Sequence, residues 1–173
     1  YVGVTCTAEN SGSKANLRAY VYSSVGGGAW NSEITGGVAL NYARACSYTY
    51  NSSTTGCGGW NPWVDDRTDI TSTFIFGNSF FSHPSPILSD IEFDDDGSML
   101  LGFIDRTSIQ MGATNYPPND RGFGAANTTL YYYVDGGDLL RVHNINGSYV
   151  VENRGLSGEP ITAGNVPATG AGS

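Results

Sequence analysis

Short apolar runs alternate along the chain with polar, glycine-rich turns, and no long segment has the period of an amphipathic helix. One arrangement occurs twice, at residues 16–37 and 138–158. Each copy has an apolar pair around an arginine, a short strand pattern, a glycine turn, an aromatic residue, a second strand pattern and a glycine-rich exit. A repeat of this kind predicts an array built from one supersecondary unit.

The second copy is preceded by two further strand patterns. Residues 87–93 alternate between apolar and polar, meet Asp94-Asp95-Asp96-Gly97, and continue into an apolar run at 98–105. An Asp-Gly turn between two such runs predicts a hairpin, because glycine tolerates the positive φ that the turn needs. This unit is therefore predicted to have four strands, at about 87–93, 98–105, 138–143 and 148–153.

The first copy predicts three strands, at about 1–8, 16–23 and 29–35, and a fourth would precede Tyr1. Four-stranded antiparallel units in series are typical of β-propeller blades. We therefore expect an all-β fold of the propeller type with about two blades, the first of them incomplete.

This interpretation divides the chain as follows. Residues 1–155 form the propeller-type region, and residues 156–173, rich in Gly, Ala and Pro, form a connector or linker. Within the region the ranges are about 1–37 for blade one, 38–86 for an insertion and about 87–155 for blade two.

Two blades cannot close a propeller, which has about four to eight. An open one would expose apolar faces and strand edges that favour association. We therefore expect the chain to be part of a longer polypeptide or a subunit packed on others. The strand that starts at Tyr1 is expected to pair with chain outside this sequence or with the segment after Gly155.

Composition narrows the function classes. The 173 residues include 24 Gly and 11 Tyr, the net charge is −8, and Lys14 is the single lysine. Nucleic-acid binding normally needs a basic stripe, so it is disfavoured. A membrane span is not expected either, since the chain has no run of roughly 18 apolar residues.

The three cysteines have different settings. Cys46 and Cys57 bracket a turn-rich segment of ten residues, which predicts a disulfide that staples a hairpin-like excursion. A disulfide there fits an extracellular or cell-surface location, and two unpaired thiols are the alternative. Cys6 alternates with Val2 and Val4 in a strand pattern, so it is expected to be a buried core residue.

Several longer strings have a recognisable form: S-D-I-E-F-D-D-D-G-S-M-L-L-G-F-I-D-R, Y-V-D-G-G-D-L-L-R, E-N-R-G, V-G-V-T-C-T-A-E-N and C-G-G-W-N-P-W. They resemble a segment of very large secreted bacterial proteins that carry domains similar to the B modules of serine-aspartate-repeat adhesins. The resemblance covers most of residues 1–155. It implies a propeller-like β region next to adhesin-type modules in a secreted or surface protein, and it brings no catalytic residues.

The densest acidic cluster is Asp94, Asp95 and Asp96. Carboxylates on a tight turn are ligands that calcium accepts, although the spacing is not that of an EF-hand. A solvated hairpin turn explains the cluster without a metal. We therefore expect no cofactor, with calcium at this turn as the alternative.

The loops offer a candidate binding face. Rings stack on the apolar faces of sugars, and four aromatic residues fall in the segments 56–66 and 106–137. Such loops at strand ends are expected to form the partner- or glycan-binding face, with plain packing of the rings as the alternative. The four residues are Trp60, Trp63, Tyr116 and Phe123.

Other candidate chemistry is weaker. The N-x-S/T triplets at Asn51, Asn127 and Asn146 mark exposed positions where glycans can be attached. The histidines, His83 and His143, have no G-x-S-x-G motif to accompany them, which argues against a serine-hydrolase triad.

Paired carboxylates for glycoside hydrolysis are the remaining catalytic option, but sequence does not place the available ones opposite each other. These carboxylates are Glu92, Asp105 and Glu152. We expect a non-catalytic structural or adhesive module. A carbohydrate-binding, lectin-like propeller is the first alternative and a secreted glycoside hydrolase the second.

Overall fold

The computed structural model describes residues 1–42, 44, 47–50, 53–56, 58–64, 74–75, 80–112, 132–133 and 136–152. Strands dominate these residues, which confirms the all-β prediction. Their helical elements are the helix α1 (Arg106–Met111) and a 3-10 turn (Lys14–Asn16). The strands in chain order are β1 (Val2–Cys6), β2 (Arg18–Ser23), β3 (Asn31–Ser32), β4 (Val38–Ala39), β5 (Ser47–Tyr50), β6 (Ser53–Gly56), β7 (Phe74–Ile75), β8 (Phe80–Phe81), β9 (Pro86–Phe93), β10 (Met99–Asp105), β11 (Tyr132–Tyr133), β12 (Asp138–Ile145) and β13 (Ser148–Val151).

The second repeat unit forms a four-stranded antiparallel sheet in the order β13-β12-β10-β9. This confirms the four predicted strands and the hairpin between the first two. Its turn has Gly97 at φ 78°, with the Gly97 amide 2.9 Å from the Asp94 carbonyl. A second tight turn joins β12 to β13, where Asn146 and Gly147 both have positive φ, at 54° and 83°. Local turn chemistry thus sets the register of both hairpins.

The first repeat unit forms a second four-stranded sheet, in which β2 pairs with β1, β3 and β4. The three predicted strands are present, but β3 has only two residues. The chain then turns at Gly36 and Gly37 and returns as β4 beside β2. Gly37 is required there, because its φ is 70° and an added Cβ would lie 2.6 Å from the Ala19 carbonyl oxygen. The sheet therefore extends past residue 37, into the predicted insertion.

The predicted insertion also contains smaller elements. β5 and β6 pair as an antiparallel hairpin, which confirms the hairpin-like excursion. Cys46 and Cys57 themselves lie outside the described residues. β7 and β8 pair in antiparallel, and β11, which comes from the long segment after β10, joins β8 in parallel.

The two main sheets share one core. Alternate residues of β2, β10 and β12 are buried, and the apolar ones among them belong to a single cluster that also includes Leu17, Leu40 and Trp60. Full burial of one such aliphatic side chain contributes about 1.5–3 kcal/mol, so this cluster is what holds the sheets together. Neighbouring propeller blades and two-sheet sandwiches both have facing sheets, so the blade arrangement stays a prediction.

The sheets also meet along their edge strands, β1 and β9. The Leu88 amide donates to Thr5 Oγ1 at 2.8 Å, and the rings of Tyr1 and Phe93 lie 4.7 Å apart. Gly3 faces Leu88 so closely that an added Cβ would lie 2.6 Å from Leu88 Cδ2. We call this contact the seam. The described strands β1 and β9 belong to different sheets with no backbone ladder between them, and the expected pairing of β1 with other chain stays a prediction.

Candidate binding site

Strand β1 turns its larger side chains outward. Val2 and Val4 are 43% and 44% exposed, and Cys6 is exposed as a free cysteine. The expectation that Cys6 is buried is therefore wrong, although the alternation behind it is correct. The inward positions belong to Gly3 and Thr5, because β1 lies so close to β9 that only small side chains fit.

Strand β2 extends this surface. Directly opposite residues of antiparallel strands project to the same face, and Val2 pairs with Tyr22 and Val4 with Tyr20. The two tyrosine rings are stacked, with centroids 6.2 Å apart and planes at 21°. We call this surface the outer face; it consists of Val2, Val4, Cys6, Arg18, Tyr20 and Tyr22.

Charge sets the outer face apart from the rest of the chain. Its six side chains include no carboxylate, whereas the whole chain has a net charge of −8. Its one charged group, Arg18, donates from Nη1 to the Gly36 carbonyl at 2.9 Å. An apolar surface with half-buried aromatic rings is suited to packing against a partner. Sequence reasoning missed this surface, although the strings V-G-V and Y-V-Y contain the alternation that reveals it once Gly3 is placed inside.

The acidic turn is confirmed as a hairpin turn, and two of its carboxylates have a partner. Arg141 Nη2 lies 2.7 Å from Asp94 Oδ2 and 3.0 Å from Asp96 Oδ2. The Ser98 amide donates to Asp96 Oδ1 at 2.8 Å. This amide, together with Arg141, holds the pKa of Asp96 below its ordinary value.

These contacts bear on the calcium alternative. A cation would have to compete with Arg141 for Asp94 and Asp96, and in the part of the chain that the structure describes no group of three or more potential ligands is assembled.

The predicted aromatic face is not formed as expected. Trp60 is fully buried, with its ring 6.3 Å from that of Phe103 and the Arg44 guanidinium 4.4 Å from its centroid. Its Nε1 donates to the Tyr42 hydroxyl at 3.3 Å. The indole ring therefore packs in the core, and its N–H also has a hydrogen-bond partner there. The placement of Trp60 on a binding face is therefore wrong.

Of the other three rings predicted to form the binding face, the structure describes one, Trp63. Trp63 is partly exposed, but the Arg106 guanidinium lies 3.5 Å from its ring centroid and covers one side. Tyr116 and Phe123 lie outside the described residues. Among the described residues of 56–66, the two rings therefore do not form a joint exposed platform.

A polar clamp connects the Trp60 region to the second sheet. The Tyr42 hydroxyl donates to Asp138 Oδ2 at 2.6 Å, and Arg44 Nη1 donates to the Gly136 carbonyl at 2.6 Å. Burial raises the pKa of the Tyr42 hydroxyl, and the neighbouring Asp138 carboxylate raises it further. Tyr42 therefore remains a protonated donor at neutral pH, as a structural hydrogen bond to a carboxylate requires.

Asp105, the last residue of β10, is buried. Its Oδ1 accepts from the backbone amides of Ser85 and Thr107, both at 2.9 Å, and its Oδ2 accepts from the Tyr133 hydroxyl. The bond to Thr107 caps helix α1. Three donors to one carboxylate fit a structural anchor that ties β9, α1 and β11 together.

The remaining candidates lie apart in the fold. Glu92 is exposed on β9, whereas Glu152 is buried and its Oε1 accepts from the Arg141 amide at 2.9 Å. The amide of His83 donates to the Tyr133 hydroxyl, and its ring Nε2 lies 3.3 Å from the Pro62 carbonyl. Asn146 is exposed in the β12–β13 turn, as its triplet predicts, and Asn51 and Asn127 lie outside the described residues.

Among the described residues, no helix combines the length and the apolar character needed to cross a membrane.

Comparison with known proteins gives little further guidance. No family model and no solved structure matches the chain. Colossin-A of Dictyostelium discoideum is 26% identical over 129 residues, which cover 75% of this chain. The chain spans about 1% of the length of Colossin-A. At this identity and share, the match shows neither a family nor a function.

Proposed function

We propose that the chain is a non-catalytic structural or adhesive module of a secreted or cell-surface protein, and that it associates through the outer face. The observation that supports this proposal is the row of exposed valines beside the stacked Tyr20 and Tyr22 on a face without carboxylates. Contiguous apolar surface on a soluble domain is typical of an interaction site.

The partner that best fits the outer face is a further β unit of the same kind. The chain already contains the strand-and-turn unit twice, and its two sheets bury their inner faces against each other. In a propeller-type array the outer face of each blade packs on the next blade in the same way. The partner is therefore a neighbouring unit of the parent polypeptide or a second copy of this chain.

The energetics indicate a weak contact between separate molecules. Covering a valine that is 43% or 44% exposed recovers only part of the roughly 1.5–3 kcal/mol that full burial provides. Two such valines, with the half-buried rings of Tyr20 and Tyr22, stabilise a complex modestly against the entropy lost on association. Units that are tethered in one polypeptide, or displayed densely on a surface, gain from a high effective concentration, which suits a structural or adhesive role.

A bead-clustering assay tests the proposal at high surface density. Beads coated with the wild-type chain should cluster, and beads coated with Val4→Lys should not, because the added charge would have to be desolvated at the contact. Val25→Lys is the matched control, since Val25 is 90% exposed in the turn after β2 and lies off the outer face. Each variant is first melted to show that it is folded.

The outcomes are separable. Clustering of wild-type and Val25→Lys beads with loss for Val4→Lys supports the proposal. Wild-type beads that stay dispersed, or Val4→Lys beads that cluster as well as wild type, would overturn it.

One observation favours the lectin-like alternative. The stacked pair of Tyr20 and Tyr22 offers flat ring surface of the kind on which sugars stack. A sugar array with wild type and Tyr22→Leu distinguishes the two functions. Leucine keeps apolar area for packing but removes the ring, so a lectin would lose its glycan while a packing module would still cluster. The glycoside hydrolase alternative has no observation in its favour among the described residues.

A further inference from the structure

A cleft of about 390 Å³ lies at the seam between β1 and β9. Two rings, those of Tyr1 and Phe93, are tilted at 52° to each other with centroids 4.7 Å apart, so they form a corner instead of a parallel stack. Leu88 and Ile91 add apolar surface, and Asp90 and Ser89 add polar groups. The volume lies at the low end of the range of about 300–1,000 Å³ for small-ligand sites.

A β-bulge shapes the wall of this cleft. Gly102 pairs with Asp90 but the next residue, Phe103, pairs with Leu88, so Ser89 is an extra residue in β9. The Ser89 hydroxyl donates to the Gly102 carbonyl at 3.0 Å, and Asp90 Oδ1 accepts from the Ile91 amide at 3.0 Å. Bulges re-aim side chains next to binding sites, and here Ser89 and Asp90 at the bulge are among the residues that line the cleft.

Gly3 forms the opposite side of the cleft. An added Cβ at this position would lie 2.6 Å from Leu88 Cδ2 and 3.4 Å from Ile91 Cδ1. Glycine therefore allows β1 to approach β9 without a side chain filling the space between them.

The lining selects the charge of a ligand. Ring faces attract cations through their quadrupole, and a carboxylate at the same site adds a direct attraction. The chain as a whole carries −8, which draws cations and repels anions. Asp94 and Asp96 of the neighbouring turn are paired with Arg141, so Asp90 is the carboxylate that belongs to the cleft.

We propose that this seam cleft binds an alkylammonium group, with the charge beside Asp90 and the methyl or methylene groups against the rings of Tyr1 and Phe93. This site is separate from the outer face and does not depend on the function proposed above. Its ligand is either a free amine or a lysine side chain of a partner polypeptide, which share the same chemistry.

Titration followed by NMR tests the proposal with the full chain acetylated at the Tyr1 amino group, so that the chain's own α-ammonium adds no positive charge to the cleft. Tetramethylammonium and an amide-capped lysine are the two cationic probes, and tert-butanol is a neutral compound of similar shape. The cations should shift the ring-proton resonances of Tyr1 and Phe93 with saturation in the millimolar range, and tert-butanol should not. Tighter binding of the capped lysine assigns the site to a polypeptide partner, whereas equal or weaker binding assigns it to a free amine.

Matched variants locate the charge. Asp90→Asn keeps the acceptor for the Ile91 amide, so it should fold normally and weaken binding of both cations about threefold to fivefold. Glu92→Gln removes an exposed carboxylate two residues along β9 that does not line the cleft, and it should leave the affinity unchanged. Equal binding of tert-butanol and tetramethylammonium, unchanged affinity in Asp90→Asn, or equal losses in both variants would overturn the proposal.

Discussion

The packing of β10 against β12 can be tested with a single methyl group at Gly137. This residue directly precedes β12, and an added Cβ would lie 2.2 Å from the Phe103 carbonyl oxygen and 3.3 Å from its carbon. Carbon and oxygen atoms pack at about 3.2 Å or more, so in Gly137→Ala the two backbones have to separate by about 1 Å. The strain falls on the backbone pairing of Phe103 in β10 with Asp138 in β12.

The size of the effect follows from what can move. Overpacking costs about 1–3 kcal/mol when a side chain can turn aside, and here the obstacle is backbone of a central strand. The same displacement moves Asp138 away from the Tyr42 hydroxyl. It therefore weakens the hydrogen bond that this hydroxyl donates to Asp138 Oδ2 at 2.6 Å. We therefore expect Gly137→Ala to lower the free energy of unfolding by about 3 kcal/mol. In a domain of this size that corresponds to a drop in Tm of about 6–12 °C.

Gly136 supplies the matched control. An added Cβ there meets nothing within 4 Å, and neither glycine has a positive φ that would itself disfavour alanine. Gly136→Ala should leave stability unchanged or raise it by about 0.4–1 kcal/mol, because alanine restricts the unfolded chain. Urea unfolding followed by tryptophan fluorescence measures both variants. Equal stability of Gly137→Ala and Gly136→Ala would refute the described register between β10 and β12.

Three further predictions concern the covalent, metal and pH properties of the chain. Mass spectrometry without reduction should show a Cys46–Cys57 disulfide, which closes a loop of about ten residues and stabilises by about 2–3 kcal/mol; two alkylated thiols would contradict it. Melting with calcium and then with a chelator should give the same Tm, because Arg141 already pairs with two carboxylates of the Asp94–Gly97 turn, and a difference of many degrees would reveal a cation site. Burial raises the pKa of Glu152 above its ordinary value of 4.5, so the stability contributed by its protonated form is lost as the pH rises above that value. Glu152→Gln keeps the acceptor for the Arg141 amide and should flatten the fall of the urea midpoint as the pH rises above 4.5, and a variant that keeps the wild-type slope would contradict this.

The second sheet was predictable because its information is local. The turns at Asp94–Gly97 and Asn146–Gly147 fix two hairpins, and the alternation on either side fixes which residues face the core. The first sheet was predictable only in part. Strand β4 has only two residues, which is too short for an alternating pattern to be recognised. Its position beside β2 is set by the turn at Gly36 and Gly37.

The candidate surfaces depended on contacts that sequence does not show. Trp60 lies in a segment rich in Gly and Pro that is typical of an exposed loop, yet Tyr42, Arg44 and Phe103 enclose its ring. The side of β1 that faces the core was equally hidden. Its apolar residues, Val2 and Val4, predict that their side faces the core, but the close approach to β9 turns the side with Gly3 inward. In both cases tertiary packing overrode a correct local pattern.

The alternation of β1 links the two proposed surfaces. Gly3 and Thr5 face the seam, and this places Val2 and Val4 on the outer face, since successive side chains of a strand point to opposite sides. A shift of β1 by one residue would turn the valines into the seam and expose Gly3. The valines would then fill the cleft, and the outer face would lose its apolar side chains at the same time. Side-chain changes, by contrast, separate the two surfaces. Val4→Lys alters the outer face and leaves the cleft lining intact, and Asp90→Asn does the reverse, so clustering and cation binding should fail independently of each other.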